Sequence, residues 1–259
     1  MKMPELFSRV NPVRDLFSWC FSLSLVISNG VKEFFLNLLF PPYCVNCQRE
    51  GSELCQDCLS LIDAPQNQYC PFCSPTKIVL DGRTCNFCRK TRNLDGLHNA
   101  ASYQNFIIKK TISQFKYEPY VKALSKPLSL LIIKYFHLIE HPVRKSLLLN
   151  EAETALIPVP LAKKKLKKRG FNQAEEIARE LSAFFKIPML CNVLVKMKET
   201  SAQVELSGKE REENIKGVFV CKNPDAVKGK KILLIDDVFT TGSTMEIVGT
   251  NLPQVLSSF

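Results

Sequence analysis

Histidine is scarce in this chain and badly placed for chemistry. There are three in 259 residues, none beside a recognisable motif, so a histidine general acid or base finds no candidate. Acidic residues are in deficit as well, 25 against 35 Lys and Arg, which leaves a formal charge of +10. That balance disfavours cationic partners and suits an anionic one, whether nucleic acid, a phosphorylated ligand or anionic lipid. Long apolar runs are missing. Leu16 to Ser28 spans 13 residues, too few to cross a bilayer as a helix. No internal repeat is visible beyond a duplicated Cys-x-x-Cys spacing, which excludes a repeat architecture.

Cysteine, by contrast, is abundant, at 11. Eight fall in four pairs, Cys44/Cys47, Cys55/Cys58, Cys70/Cys73 and Cys85/Cys88. A spacing of i, i+3 suits few structural disulfides, but it presents two sulfurs to one tetrahedral metal ion, and two such knuckles close a four-sulfur zinc site. A block this short and this poor in aliphatic residues draws its folding energy from metal. Closed four-cysteine sites leave no open coordination position, so two structural zinc ions are expected. The first knuckle is expected to pair with the second and the third with the fourth, a crossed arrangement being the alternative. A redox or disulfide set is the competing reading of all eight. Zinc thiolates imply a reducing, cytoplasmic setting. Eight thiolates and two zinc ions would bring the net charge to about +6. Cys20, Cys191 and Cys221 lie outside the pattern and are read as core residues, and His98 as a non-ligand.

Hydrophobic content of 46% is ordinary for a globular protein. Three regions are expected: an apolar N-terminal segment (1–42), the cysteine-rich block (43–91) and an α/β region (95–259). The first is read as a helix packing on the domain or a partner, with peripheral membrane contact through residues 16–40, or a signal or anchor, as alternatives. Leu94 to Tyr103 reads as the beginning of a strand. Ile107–Phe115 and Val121–Ile139 carry helical spacing, and Ala155–Val159 reads as a short strand. A lysine-rich loop then precedes a helix capped by Asn172, with Ala174, Ile177, Ala178, Leu181, Phe184 and Phe185 on one face. Met189–Lys196 and Gly217–Cys221 are further strand candidates. Ile232–Ile235 is a continuous apolar run, as in a strand buried on both faces. Strands alternating with helices predict an α/β fold with a mostly parallel sheet.

That last strand delivers Asp236 and Asp237 at its carboxyl end, where open α/β sheets bind ligands. Two carboxylates there can accept hydrogen bonds from vicinal ribose hydroxyls. Thr240, Thr241, Gly242, Ser243 and Thr244 follow, offering hydroxyls, backbone N–H groups and a helix N-terminus to a phosphate. Upstream, Lys163, Lys164, Lys165, Lys167, Lys168 and Arg169 place six positive charges in seven residues. Arg169, a planar fork, is the preferred pyrophosphate contact. Five lysines and Phe171 could equally grip phosphates and stack a base of single-stranded DNA. A solvated charge run is the plain alternative.

Residues 230–244, KKILLIDDVFTTGST, resemble the signature of type I phosphoribosyltransferases. The chain as a whole resembles the ComF family, competence-associated proteins that join a double zinc ribbon to such a domain. The matches run in order through LFPPYCVNC (39–47), the other knuckles, FKY (115–117), PVP (158–160), RGFNQAE (169–175), and Thr200, Gln203, Leu206, Arg211, Asn214, Gly217 and Phe219. The resemblance implies a type I phosphoribosyltransferase-like sheet with helices on both faces, behind a small zinc ribbon. It implies that Asp236 and Asp237 hold the ribose of phosphoribosyl pyrophosphate (PRPP), Thr240–Thr244 its 5-phosphate, and that Mg²⁺ accompanies the ligand. It also implies single-stranded DNA and a competence helicase as partners in DNA uptake. A phosphoribosyltransferase of base metabolism is the second reading, although no acceptor site or acid/base residue is identifiable. A third reading is a damaged copy. Met245–Phe259 is interrupted by Gly249 and Pro253, so a short helix and a lost edge strand are expected after the phosphate loop.

Overall fold

The computed structural model describes residues 38–73, 77–79, 82–138, 153–197, 218–239, 243–250, 252 and 255–258. The apolar run Leu16–Ser28, Cys20, and the family positions Thr200, Gln203, Leu206, Arg211, Asn214 and Gly217 lie outside them. Among the described residues no helix is long and apolar enough to cross a membrane.

The cysteine-rich block contains a short helix α1 (Gln56–Ser60), an antiparallel hairpin β1 (Gln68–Tyr69) with β2 (Ile78–Val79), and a 3-10 turn at Cys88–Lys90. Leu94–Tyr103 is not a strand. Gly96 makes a single antiparallel bridge to Arg83, and Leu97 N–H donates to Gly82 O at 2.8 Å. Gly82 takes φ +69°, and an added Cβ there would lie 2.6 Å from the buried His98 ring. This turn is therefore closed by a residue that only Gly can replace without strain.

Helix α2 (Phe106–Lys116) starts where Asn105 Oδ1 accepts from Ile107 N at 2.9 Å and Ile108 N at 3.2 Å. Helix α3 (Ser125–Leu138) follows, and strand β3 (Thr154–Pro158) is buried throughout. The lysine run is not a loop: Lys163–Arg169 forms helix α4, ended by Gly170 at φ 80° with its N–H on Leu166 O. Lys, Leu and Arg are good helix formers, and basic residues in the last turn complement the helix dipole. Helix α5 (Gln173–Phe185) buries Ala174, Ile177, Ala178 and Leu181 as its periodicity predicts, but Phe184 is half exposed. Asn172 holds the N-cap position without capping. Its Nδ2 donates instead to Val159 O at 3.1 Å, tying the helix to the end of β3.

Strand β4 (Leu194–Lys196) pairs antiparallel with β5 (Phe219–Cys221). Cys191, expected in the core, is exposed, and Cys221 is only partly buried. Strand β6 (Lys231–Ile235) runs parallel to β3 in register from Thr154↔Lys231 to Pro158↔Ile235. Helix α6 (Ser243–Thr250) then leads to β7 (Val255–Ser258), which pairs in parallel with the other side of β6. The edge strand expected to be lost is thus present, and the sheet order is β3-β6-β7. Beyond β3, Leu156 bridges Met189 in parallel, so the sheet is mostly parallel, as predicted.

Alternate residues of the sheet feed two cores. Leu156, Leu233 and Ile235 pack with α2, α3 and α5, together with Cys44, Val45, Leu54 and Ile62 of the cysteine block. Ala155, Ile157, Ile232 and Leu234 pack with Met245 and Val248 of α6 and with Leu194 and Phe219. Helices on both faces explain why β6 is apolar from Ile232 to Ile235. Each such side chain contributes roughly 1.5–3 kcal/mol of burial.

Candidate ligand site at the carboxyl edge of the sheet

The in-register pairing Pro158↔Ile235 decides the site, because whatever follows β3 and β6 leaves the sheet at the same edge. Asp236 and Asp237 come directly after β6, and α4 and the start of α5 after β3. Asp236 accepts the Asp237 N–H at 2.9 Å. Burial, reinforced by the neighbouring Asp237 charge, raises the Asp236 carboxyl from 3.8 to about 7.

Asp237 is held by a residue from a third element. Lys116 Nζ, at the end of α2, lies 2.8 Å from Asp237 Oδ1, with the lysine 24% and the aspartate 7% exposed. The neighbours of Lys116 reach in the other direction. Tyr117 lies under the Arg169 guanidinium, 5.9 Å from ring centroid to Cζ. Arg169 Nη1 donates to Gln173 Oε1 at 2.9 Å, and Gln173 Nε2 donates to Phe115 O at 2.9 Å. The FKY and RGFNQ segments are therefore locked together, which ties Arg169 to the segment whose Lys116 holds Asp237. Sequence alone quoted these segments without assigning Lys116 or Gln173 a role.

Phe171 does not face solvent. It is 9% exposed and its ring lies 5.5 Å from that of Phe115, so it belongs to the core and cannot stack a nucleic-acid base. The five lysines of α4 are exposed. Of the expected phosphate loop, Thr240, Thr241 and Gly242 lie outside the described residues. Ser243 begins α6 and Thr244 is exposed in its first turn. In the same turn Glu246 Oε1 accepts from Asn93 N at 3.2 Å and from Asn93 Nδ2 at 3.3 Å, docking this helix on the chain that leaves the last knuckle.

The eight paired cysteines gather in two groups, Cys44/Cys47/Cys55/Cys58 and Cys70/Cys73/Cys85/Cys88, each with its sulfurs within 4.8 Å of one another. Contacts of 3.6 Å (Cys47–Cys55), 3.6 Å (Cys73–Cys85) and 3.7 Å (Cys73–Cys88) are too long for disulfides. A tetrahedron with metal–sulfur bonds of about 2.3 Å has edges of about 3.8 Å, so each group fits one metal ion. The Cys88 N–H leads the influences that lower the Cys85 thiol to about 6, against the cost of burial. Burial opposes the same trend at Cys44, but the N–H groups of Cys55, Cys47 and Asn46 outweigh it and bring that thiol to about 6. His98 is no ligand: its Nδ1 lies 3.1 Å from the buried Tyr135 hydroxyl.

Residues 166–253 match the phosphoribosyl transferase domain family. Competence protein ComFC of Bacillus subtilis is 28% identical over 207 residues, 76% of this chain and 76% of that protein. Both cysteine clusters lie ahead of the phosphoribosyl transferase match. The chain resembles the ComF competence proteins. Competence protein F of Haemophilus influenzae is 39% identical over 92 residues, 35% of this chain. DNA utilization protein YhgH of Escherichia coli is 32% identical over 90 residues, 35% of this chain. These two matches span only 40% and 39% of the length of the proteins concerned. No solved structure matches this chain.

Proposed function

We propose that this protein is a ComF-like one that binds PRPP with Mg²⁺ at the carboxyl edge of its sheet and handles single-stranded DNA during DNA uptake. The observation that carries the reading is the Lys116–Asp237 ion pair at the edge where β3 and β6 both end, with Arg169 at the end of α4 resting on Tyr117, the neighbour of Lys116. The acid pair would accept the ribose hydroxyls, and the Thr240–Thr244 segment at the start of α6 would receive the 5-phosphate. Arg169 and Lys116 supply cations for pyrophosphate oxygens. Mg²⁺ would contribute charge neutralisation at the pyrophosphate; the carboxylates of this edge are the ligand type it takes. Each cysteine cluster would hold one structural zinc, which orders the block that packs on α2 and α3. The exposed lysines of α4 would contact the phosphates of a single strand. The names of the relatives, competence protein and DNA utilization protein, support the DNA-uptake role, and thiolate clusters suit a reducing, cytoplasmic setting.

Calorimetric titration of the zinc-loaded chain with PRPP in Mg²⁺ tests the site. Saturable heat is expected, and Asp236→Asn combined with Asp237→Asn abolishes it; retained affinity in that variant refutes the placement of the ribose. For DNA, the expected result is binding of a single strand that weakens with salt. Replacing the five α4 lysines by Gln flattens the salt slope, and an unchanged slope removes α4 from the interface.

A further inference from the structure

Lysines on a helix attract phosphates without telling a single strand from a duplex, because both carry them. A preference for single strands needs a group that meets unpaired bases, and Phe171 is excluded from that role by its burial against Phe115. The surface beside α4 supplies another ring. Tyr117 is 60% exposed, and the Arg169 guanidinium lies over it, 5.9 Å from Cζ to the ring centroid. Its position follows from the way α2 ends. Phe115 is the last apolar anchor of the helix and is fully buried, and the chain then leaves helical geometry at Tyr117, with φ −121° and ψ 172°. Tyr117 N–H donates to Ser113 O at 2.8 Å, and Tyr117 O accepts from Tyr120 N–H at 2.7 Å. The backbone is held on both sides of the residue, so the ring is presented to a ligand at reduced ordering cost.

The charge on this side of the ring is positive. Helix α4 contains no acid, its last turn carries Lys167, Lys168 and Arg169, and all five of its lysines are exposed. Exposed Glu118, the next residue after Tyr117, is a single opposing charge. A cation over an aromatic face and a line of exposed ammonium groups beside it match the two parts of an unpaired strand, a flat base and its flanking phosphates. This platform is separate from the cavity of about 320 Å³ beside Asp236 and Asp237, which neither Tyr117 nor Arg169 lines.

We infer that Tyr117, backed by Arg169, stacks a base of the strand and gives this surface a preference for single-stranded over duplex DNA. The inference rests on the DNA reading for the phosphate contacts of α4 and adds the contact that reads an unpaired base. Fluorescence anisotropy of the zinc-loaded full chain is followed with a labelled oligothymidylate, with the same strand carrying abasic sites in place of its central bases, and with a duplex of equal length. The wild type is expected to bind the oligothymidylate more tightly than the other two. Tyr117→Ala weakens oligothymidylate binding by about tenfold, while its affinity for the abasic strand and the duplex, and the slope of log affinity against log salt, stay at their wild-type values. Tyr117→Phe keeps a ring and keeps the preference. A ring that merely held Arg169 on a phosphate would give a different result. Its loss would lower the salt slope by about one and weaken duplex and single strand alike, and that pattern overturns the inference. A wild type that binds the oligothymidylate no better than the abasic strand, or a Tyr117→Ala variant that retains the preference, also overturns it and leaves the lysine contacts of α4 standing. A wild type that binds no single strand overturns the inference and the DNA reading together.

Discussion

Asp236→Asn should make the ligand-free protein more stable while weakening its hold on the ligand. The carboxyl sits at the end of a buried strand, and burial, then the Asp237 charge, raises it from 3.8 to about 7. A carboxyl raised on folding contributes stability that is complete below its unfolded value, declines as pH rises through the interval from about 4 to 7, and is lost above it. The full interval is worth about 4 kcal/mol, and water reaching a partly exposed carboxylate reduces the expectation to about 2 kcal/mol. Asparagine keeps an oxygen to accept the Asp237 N–H, so this substitution removes the charge without orphaning the donor. Urea unfolding at two pH values reads the effect. At pH 8 the variant should exceed the wild type by about 2 kcal/mol, and at pH 5 by about 1 kcal/mol or less. A variant less stable than the wild type at pH 8, or a difference that does not change with pH, refutes the argument that burial strains this carboxylate. The same variant should bind PRPP more weakly, since a neutral amide oxygen accepts from ribose hydroxyls and takes Mg²⁺ less strongly than a carboxylate.

Unfolding in a zinc-sensitive dye should release two zinc ions per chain. Cys85→Ser should release about one, and equal release from both would refute the two-cluster pairing. Gln173→Leu leaves the Phe115 carbonyl without its donor and frees Arg169, so a loss of about 1–3 kcal/mol is expected in denaturant unfolding together with weaker PRPP binding. Wild-type behaviour in both would mean that the bridge does not position Arg169. Gly82→Ala forces a Cβ against the His98 ring at a positive φ, and a loss of at least about 2 kcal/mol is expected. An unchanged melting temperature would show that the turn relaxes freely.

The parts of this protein that the sequence determined by itself are those whose physical signal is local. Cysteines three apart declare a metal knuckle because both sulfurs lie within reach of one ion. Four apolar residues ahead of Asp236 declare a strand buried on both faces, and the acids then fall at its carboxyl end by covalent necessity. The helical period placed α2 and most of α5. The tertiary structure decided what depends on distant segments meeting. Lys116 reaches Asp237 across 121 positions, and nothing local distinguishes it among 35 basic residues. Phe171 looked available because it follows a basic run, but folding turns it onto Phe115 and into the core. The lysine run looked like a loop because it carries no apolar face, and the structure makes it a helix that Gly170 ends. Val255–Ser258 is too short and too polar to read as a strand, and only the open edge of β6 makes it one. The cavity beside the acids belongs to no single segment: one wall comes from the cysteine block, and the Gln68–Asn99 contact holds it in place.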